Sequence, residues 1–385
     1  MTKRIEKNSL ILRSRNVSQR ISLVDTAFER PTSDYPPGHL LVVPALEIIP
    51  TGWRRVSNFD AGGSDVSVIV RVAEEVLSSS GLRHPSIASD FHVHSGHSLT
   101  DTYVNSGIEG WPGNLANIFI GEFGEPAWVD RRTHAQDTVP GSPMSIRWER
   151  RDLLARTNID AFQSLTITEG GPPPRVSEQA SEGMIDTLTH LMLFSENALA
   201  RGDGGKGAEV ILWSIWPSLN GLSDRPEWAD LGNFRACLPE YGRSFRYLAD
   251  YATWKMHQNH KALSPEWRVW IIPGHAWMAR IHDDLLGSVA PGLTEIGDLF
   301  QDDIHLNPVG EYAGSLLVFT MLYQIDARAL NYVPSPDIIA PELDAYLKRV
   351  AWEVVKSEEA AGLGGMANSD RAFDPALHGD PLGRI

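Results

Sequence analysis

The chain has 385 residues, 42% of them hydrophobic and 22% charged, which suits one large α/β domain or two smaller ones and excludes a disordered chain. Its 34 Lys and Arg face 49 Asp and Glu, a net charge of −15, which argues against nucleic acid or an anionic membrane surface as partner, since both need a basic face. A single cysteine, Cys237, excludes an intramolecular disulfide and any multi-cysteine metal site, and no run of roughly eighteen apolar residues could span a bilayer.

Residues 1–85 read as an N-terminal accessory region packed on a main domain. Thr2-Lys3-Arg4 is not followed by the apolar stretch of a secretory signal. Ser9-Leu10-Ile11-Leu12 is too short and runs into Arg13 and Arg15, so a cytoplasmic protein is expected. His39–Val43 reads as a strand and Val66–Ser79 as an amphipathic helix. Such a region could shape a pocket mouth, cover a sheet edge or join two copies in a homo-oligomer.

A different pattern starts near residue 86. Ile87–His94 reads as a strand that runs into Gly96-His97-Ser98, and further apolar runs follow at Thr138–Ile146, Ala161–Thr168, Ala208–Ile215 and Trp267–Ile272. Between them, Ser177–Ala200 and Gly242–Lys261 carry apolar residues at helical spacing, and Val309–Arg328 and Pro341–Glu358 read as two more helices. Strands alternating with helices predict an α/β fold, a mostly parallel sheet covered on both faces. Right-handed crossovers then gather the C-terminal ends of the strands on one edge. The expected main domain covers 86–330. Residues 331–385 add a C-terminal helix and, from Gly362, a Gly-, Pro-, Asp- and Asn-rich arm, extended or mobile.

Two short segments carry the chemistry. In Gly96-His97-Ser98-Leu99-Thr100-Asp101 a serine leaves a strand at the sheet edge, where its own N–H points toward any bound carbonyl oxygen. Its plainer role is a helix cap. In Asp302-Asp303-Ile304-His305-Leu306-Asn307-Pro308-Val309-Gly310 an aspartate precedes a histidine by three residues, close enough to fix its tautomer and leave the other ring nitrogen free to accept a serine proton. The plainer role there is a surface histidine beside a helix N-terminus.

Together the two segments resemble the SGNH (GDSL-type) hydrolases, with Gly96-His97-Ser98-Leu99 in place of Gly-Asp-Ser-Leu, and Asp302-x-x-His305 followed by Asn307 and Gly310. The resemblance spans roughly 85–330 and implies a three-layer sandwich with a flavodoxin-like central sheet. It also implies a cofactor-free serine esterase: His305 deprotonates Ser98, Ser98 attacks the carbonyl, Asp302 orients His305, and water resolves the acyl-enzyme. The family's second block implies a glycine oxyanion donor, best matched by Gly141 in Val139-Pro140-Gly141-Ser142; Gly110 is closer in spelling but too near Ser98. The third block, here Leu165-Thr166-Ile167-Thr168-Glu169-Gly170-Gly171, lacks the usual asparagine. Thr168 or a backbone N–H near Gly170 would have to substitute, with Glu169 orienting a neighbour or meeting substrate. Asn220 reads as a turn residue.

The expected partner is a small-molecule or carbohydrate ester. Trp111, Trp213, Trp216 and Trp277 are placed to approach the sheet edge and stack on sugar rings, Trp277 being the first choice for a pocket wall; core packing is their plainer role. Arg147, Arg150 and Arg151 are candidates for a local basic patch. A lipid or thioester hydrolase on the same scaffold and a non-catalytic binding module are further alternatives. The rival from another class is a zinc amidohydrolase built on His92 and His94, whose i, i+2 spacing puts both on one strand face, with His190, His275, His282 and Asp302 available as ligands. Cys237 reads as a structural thiol.

Overall fold

The computed structural model describes six strands within residues 2–71 as backbone, and residues 91–100, 114–123, 134–177, 180–362 and 373–383. The centre is a five-stranded, wholly parallel sheet of β7 (His92–Gly96), β8 (His134–Thr138), β9 (Ser164–Ile167), β10 (Glu209–Ser214) and β11 (Trp270–Pro273), in spatial order β11-β10-β9-β7-β8. Counted from β7 this is the order 2-1-3-4-5 of doubly wound sheets, whose crevice opens beyond the C-terminal strand ends where the winding reverses, here between β7 and β9. Register brings those ends level, since Gly96 pairs with Thr138 and Ser95 with Ile167.

β10 is the unbroken apolar run that a strand covered on both faces requires, with Val210 to Ser214 buried. β7 is as deeply buried yet reads His-Val-His-Ser-Gly. A fully buried strand with three polar side chains marks where the core serves something besides packing.

Two groups of helices touch the sheet. α2 (Met144–Glu149), α4 (Glu182–Gly205) and α5 (Phe234–Asn259) pack together; α1 (Asn114–Phe123), α7 (Pro308–Tyr323) and α8 (Pro341–Ser357) form the other group, and α6 (Gly274–Leu286) meets both. α3 (Leu154–Thr157) lies between α2 and β9 in sequence, and α9 (Pro375–His378) closes the order. Side chains of Ser181, Asn233 and Asn307 cap α4, α5 and α7 by accepting first-turn N–H groups. One core cluster includes residues of β7, β9, β10 and β11 and of helices α1 to α8, with Ala135 of β8 packed against it. No helix among the described residues is long and apolar enough to cross a membrane.

Several expectations change. Asp65–Arg71 is β6, paired with β4 (Leu40–Pro44) and β5 (Trp53–Asp60), because Val66, Val68, Ile69 and Val70 favour a strand over the expected helix; residues 72–79 lie outside the described residues. β1 (Thr2–Glu6), β2 (Ser9–Ser14) and β3 (Val17–Ser22) form a second antiparallel sheet. The second sheet strand is His134–Thr138 rather than Thr138–Ile146, which instead turns into α2. α8 is not an appendage, since Leu343, Leu347, Val350 and Val354 are buried against α6 and α7. The described part of the tail is anchored: Phe373 packs on Tyr251 and Trp254, and Asp380 accepts from Tyr251 Oη (2.6 Å) and buried Lys255 Nζ (2.9 Å).

Candidate active site

Immediately after β7 the chain turns, with the Thr100 N–H donating to the His97 carbonyl (2.9 Å), and presents half-buried Ser98 from a loop of buried residues. A Cβ at Gly96 would lie 2.1 Å from His94 Nε2 and 2.3 Å from Thr100 Oγ1, so only glycine lets the chain pass the bond between them. That bond belongs to a buried series. Thr100 Oγ1 donates to the His97 carbonyl (3.1 Å), which leaves it to accept from His94 Nε2 (2.7 Å). His94 Nδ1 then accepts from Thr166 Oγ1 (2.8 Å), which accepts from His92 Nε2 (2.8 Å).

The neutral rings this series needs are favoured by burial, which pushes His92 down to about 3 and His94 well below the ordinary imidazole range. His97, standing where the resembling family has aspartate, is lowered to about 4, first by burial and then by the Arg147 charge. It donates from Nε2 to the Glu169 carbonyl (2.8 Å), tying the Ser98 loop to the end of β9.

His305 reaches Ser98 from the opposite end of the sequence. Its Nε2 lies 2.9 Å from Ser98 Oγ, and its Nδ1 lies 2.8 Å from Asp302 Oδ2. The carboxylate can only accept from Nδ1–H, so Nε2 is the free base facing the hydroxyl. Asp302 Oδ1 also accepts the N–H groups of His305 (2.7 Å) and Ile304 (2.9 Å), and these two backbone bonds lead in holding its carboxyl down at about 2. The loop is held from β10's side, where Trp216 Nε1 donates to the Ile304 carbonyl (2.9 Å) and the Leu219 N–H to the Asp303 carbonyl (2.7 Å). Asn307 caps α7 with Oδ1 and donates from Nδ2 to the Asp298 carbonyl (2.7 Å). Gly310 leaves no space for a Cβ, which would sit 2.3 Å from the Leu299 carbonyl oxygen.

Gly141 lies in an exposed turn just past β8 at φ +64°, a conformation that favours glycine. The Val139 N–H bonds the Gly96 carbonyl (3.1 Å) and so fastens the turn beside the Ser98 loop. The N–H groups of Ser98 and Gly141 meet no acceptor among the described residues.

Other expected site residues are placed differently. Thr168 is buried, its hydroxyl donating to the Trp213 carbonyl (2.9 Å) and its N–H to the Ser95 carbonyl (3.2 Å), so neither is available to an oxyanion. Glu169 is buried too, and its Oε1 accepts from Met144 N (3.1 Å) and Gly170 N (2.7 Å); it braces the loop rather than facing a substrate. Trp277 is fully buried, packed edge-on against Trp216, which meets Trp213 in turn, so these three rings are core and not a pocket wall. Trp111 and Gly110 lie outside the described residues, and Asn220 sits in an exposed turn, as expected. Arg147 is buried and Arg150 is paired with Asp152, which removes two members of the expected basic patch.

His92 and His94 share one face but point at Thr166. His275 bonds Ser214 Oγ (2.7 Å) and His190 the Asp186 carbonyl (2.8 Å), away from that pair. Among the described residues no three His, Cys, Asp or Glu side chains are grouped to hold a metal ion. Cys237 is a buried thiol on α5, pushed up by that burial.

Arg147 departs furthest from its expected surface role. Wholly buried on α2, it donates from Nε to Ser95 Oγ (3.1 Å), from Nη1 to the Ser142 carbonyl (2.5 Å) and Ser142 Oγ (3.3 Å), and from Nη2 to the Thr168 carbonyl. Read as one of three neighbouring arginines it suggests a surface patch. Only its place in Met144-Ser145-Ile146-Arg147-Trp148, where it shares the buried face with Met144 and Trp148, hints at burial. Beyond Gly170, residues Pro172–Pro174 wall a cleft of about 660 Å³ that Arg175, Glu240 and Arg243 also line.

No family model and no curated protein matches the chain. It is similar to the crystal structure of a DUF4886 family protein from Bacteroides uniformis, at 11% identity over 69% of this chain and 95% of that one, with a TM-score of 0.40.

Proposed function

We propose that the protein is a serine hydrolase of the SGNH type that cleaves a small acyl ester through an acyl-enzyme. The observation that carries this reading is the unbroken line Asp302–His305–Ser98, 2.8 and 2.9 Å long, at the C-terminal edge of a parallel sheet. His305 takes the Ser98 proton as Oγ attacks the carbonyl carbon, and the Ser98 and Gly141 N–H groups receive the oxyanion. The alcohol leaves with the proton returned by His305; water, deprotonated by the same ring, then releases the acid. With Trp213, Trp216 and Trp277 in the core, an O-acetylated sugar has no stacking platform from these rings, and the reading narrows to the ester itself.

Hydrolysis of p-nitrophenyl acetate by wild type, Ser98→Ala and His305→Ala tests it. Either substitution should reduce kcat by at least about 10⁴-fold, with or without chelator. Turnover that survives the loss of Ser98 would end the proposal.

A further inference from the structure

Building on that serine-hydrolase reading, we propose that Arg147 is the positioning residue of the oxyanion site, its buried guanidinium holding the ends of the nucleophile strand, the Gly141 turn and β9 in one fixed geometry. The chain offers no asparagine in Leu165–Gly171 for the third donor, and Thr168 and Glu169 are spent on other bonds. Arg147 touches all three segments from beneath. Ser95 lies three residues before Ser98, Ser142 follows Gly141, and Thr168 directly follows β9. The segments close tightly around it, since a Cβ at Gly170 would lie 2.1 Å from the Ser142 carbonyl oxygen.

The chemistry of the contacts makes a packing role insufficient. A side chain of that volume could be apolar, whereas a desolvated guanidinium is retained only at considerable cost. Its hydrogen bonds go to two carbonyls and two hydroxyls, while the buried Glu169 carboxylate acts on it through charge and is itself held by the N–H groups of Met144 and Gly170. The planar fork of guanidinium donors fixes three loops at once, which a lysine's single ammonium cannot.

The test compares wild type, Arg147→Lys and Arg147→Ala for kcat and KM on p-nitrophenyl acetate, and for affinity toward phenylboronic acid, a tetrahedral mimic. A fluorophosphonate label at Ser98 and a near-UV circular dichroism spectrum report the folded fraction. Expected are a kcat about 100-fold lower in Arg147→Ala and about tenfold lower in Arg147→Lys, KM within about twofold, boronate affinity falling in step with kcat, and partial rescue of Arg147→Ala by non-denaturing guanidinium. Folded variants that keep wild-type kcat, or that lose substrate and boronate affinity alike, would overturn the inference. If Arg147→Ala does not fold, Arg147→Lys alone decides it by the same kcat and boronate criteria. A wild type that the fluorophosphonate does not label would sink the serine-hydrolase reading and this inference together. Labelled wild type with unaffected Arg147 variants would sink this inference only.

Discussion

The two halves of the candidate triad are built in opposite ways. Ser98 rises from β7, every residue of which is buried, and its turn is braced from below by His92, Thr166, His94 and Thr100 in series. Asp302 and His305 stand on a partly exposed loop, tied down by backbone bonds and by Trp216 from the neighbouring strand's end. The nucleophile half is thus fixed by core packing, so disturbing it should cost stability together with rate. The base half is fixed by local hydrogen bonds, so disturbing it should cost rate alone.

Asp302→Asn separates the halves most strongly. The asparagine oxygen can still accept the two backbone N–H groups, but its amide cannot hold His305 in the required tautomer. A kcat about 10²- to 10⁴-fold lower at an unchanged melting temperature is expected; a large loss of stability would contradict the comparison. Because Asp302 is held down at about 2, it stays ionised in any ordinary assay, so protonation of this carboxylate should not limit activity above about pH 3.

Gly96→Ala tests the other half. The new methyl group must displace the bond between His94 and Thr100, and a stability loss of about 1–3 kcal/mol is expected along with reduced kcat, measured by denaturant unfolding and steady-state kinetics. Unchanged stability would show that the bond can move aside at no cost.

A further test of the buried half comes from pH. His92, His97 and His275 are lowered to about 3, 4 and 4, each first by burial. Depressed histidines are neutral when folded and take a proton when unfolded, so their contribution is complete above the unfolded value of about 6.5. It is lost as pH falls toward their folded values, at about 1.4 kcal/mol per pH unit for each histidine. Unfolding free energy measured from pH 7 to pH 4.5 should fall with a slope of several protons, and a flat profile would mean that these rings are solvated.

How much of this was legible in the sequence follows the same division. Strands β9, β10 and β11 announce themselves as apolar runs, and their helices through three- and four-residue spacing, because burial on two faces leaves little compositional choice. Asp302 and His305 were legible because their interaction is local. β8, His-Ala-Gln-Asp-Thr, was missed because its two buried residues, His134 and Asp137, are both polar and the rest of it is only partly covered. The roles of Thr168, Glu169, Trp277 and Arg147 were misjudged for one reason: each depends on a partner far away in sequence. Thr168 needs Trp213, Glu169 needs Met144, and Arg147 needs Ser95 on one side and Thr168 on the other. Residue type and spacing specify what a side chain can do, but not which distant carbonyl occupies it.

The clasp of Asp380 on Lys255 and Tyr251 also has a meaning for the order in which the protein is made. Lys255 is buried on α5, where its ammonium is met by Asp380, by the Gly383 carbonyl and, at 5.6 Å, by the Trp254 ring. α5 and the central strands precede residue 380 in the chain, so in synthesis that ammonium meets its anionic partner last. Loss of residues 380–383 would therefore leave the Lys255 ammonium without its carboxylate partner, and the C-terminal part of α5 is expected to lose stability.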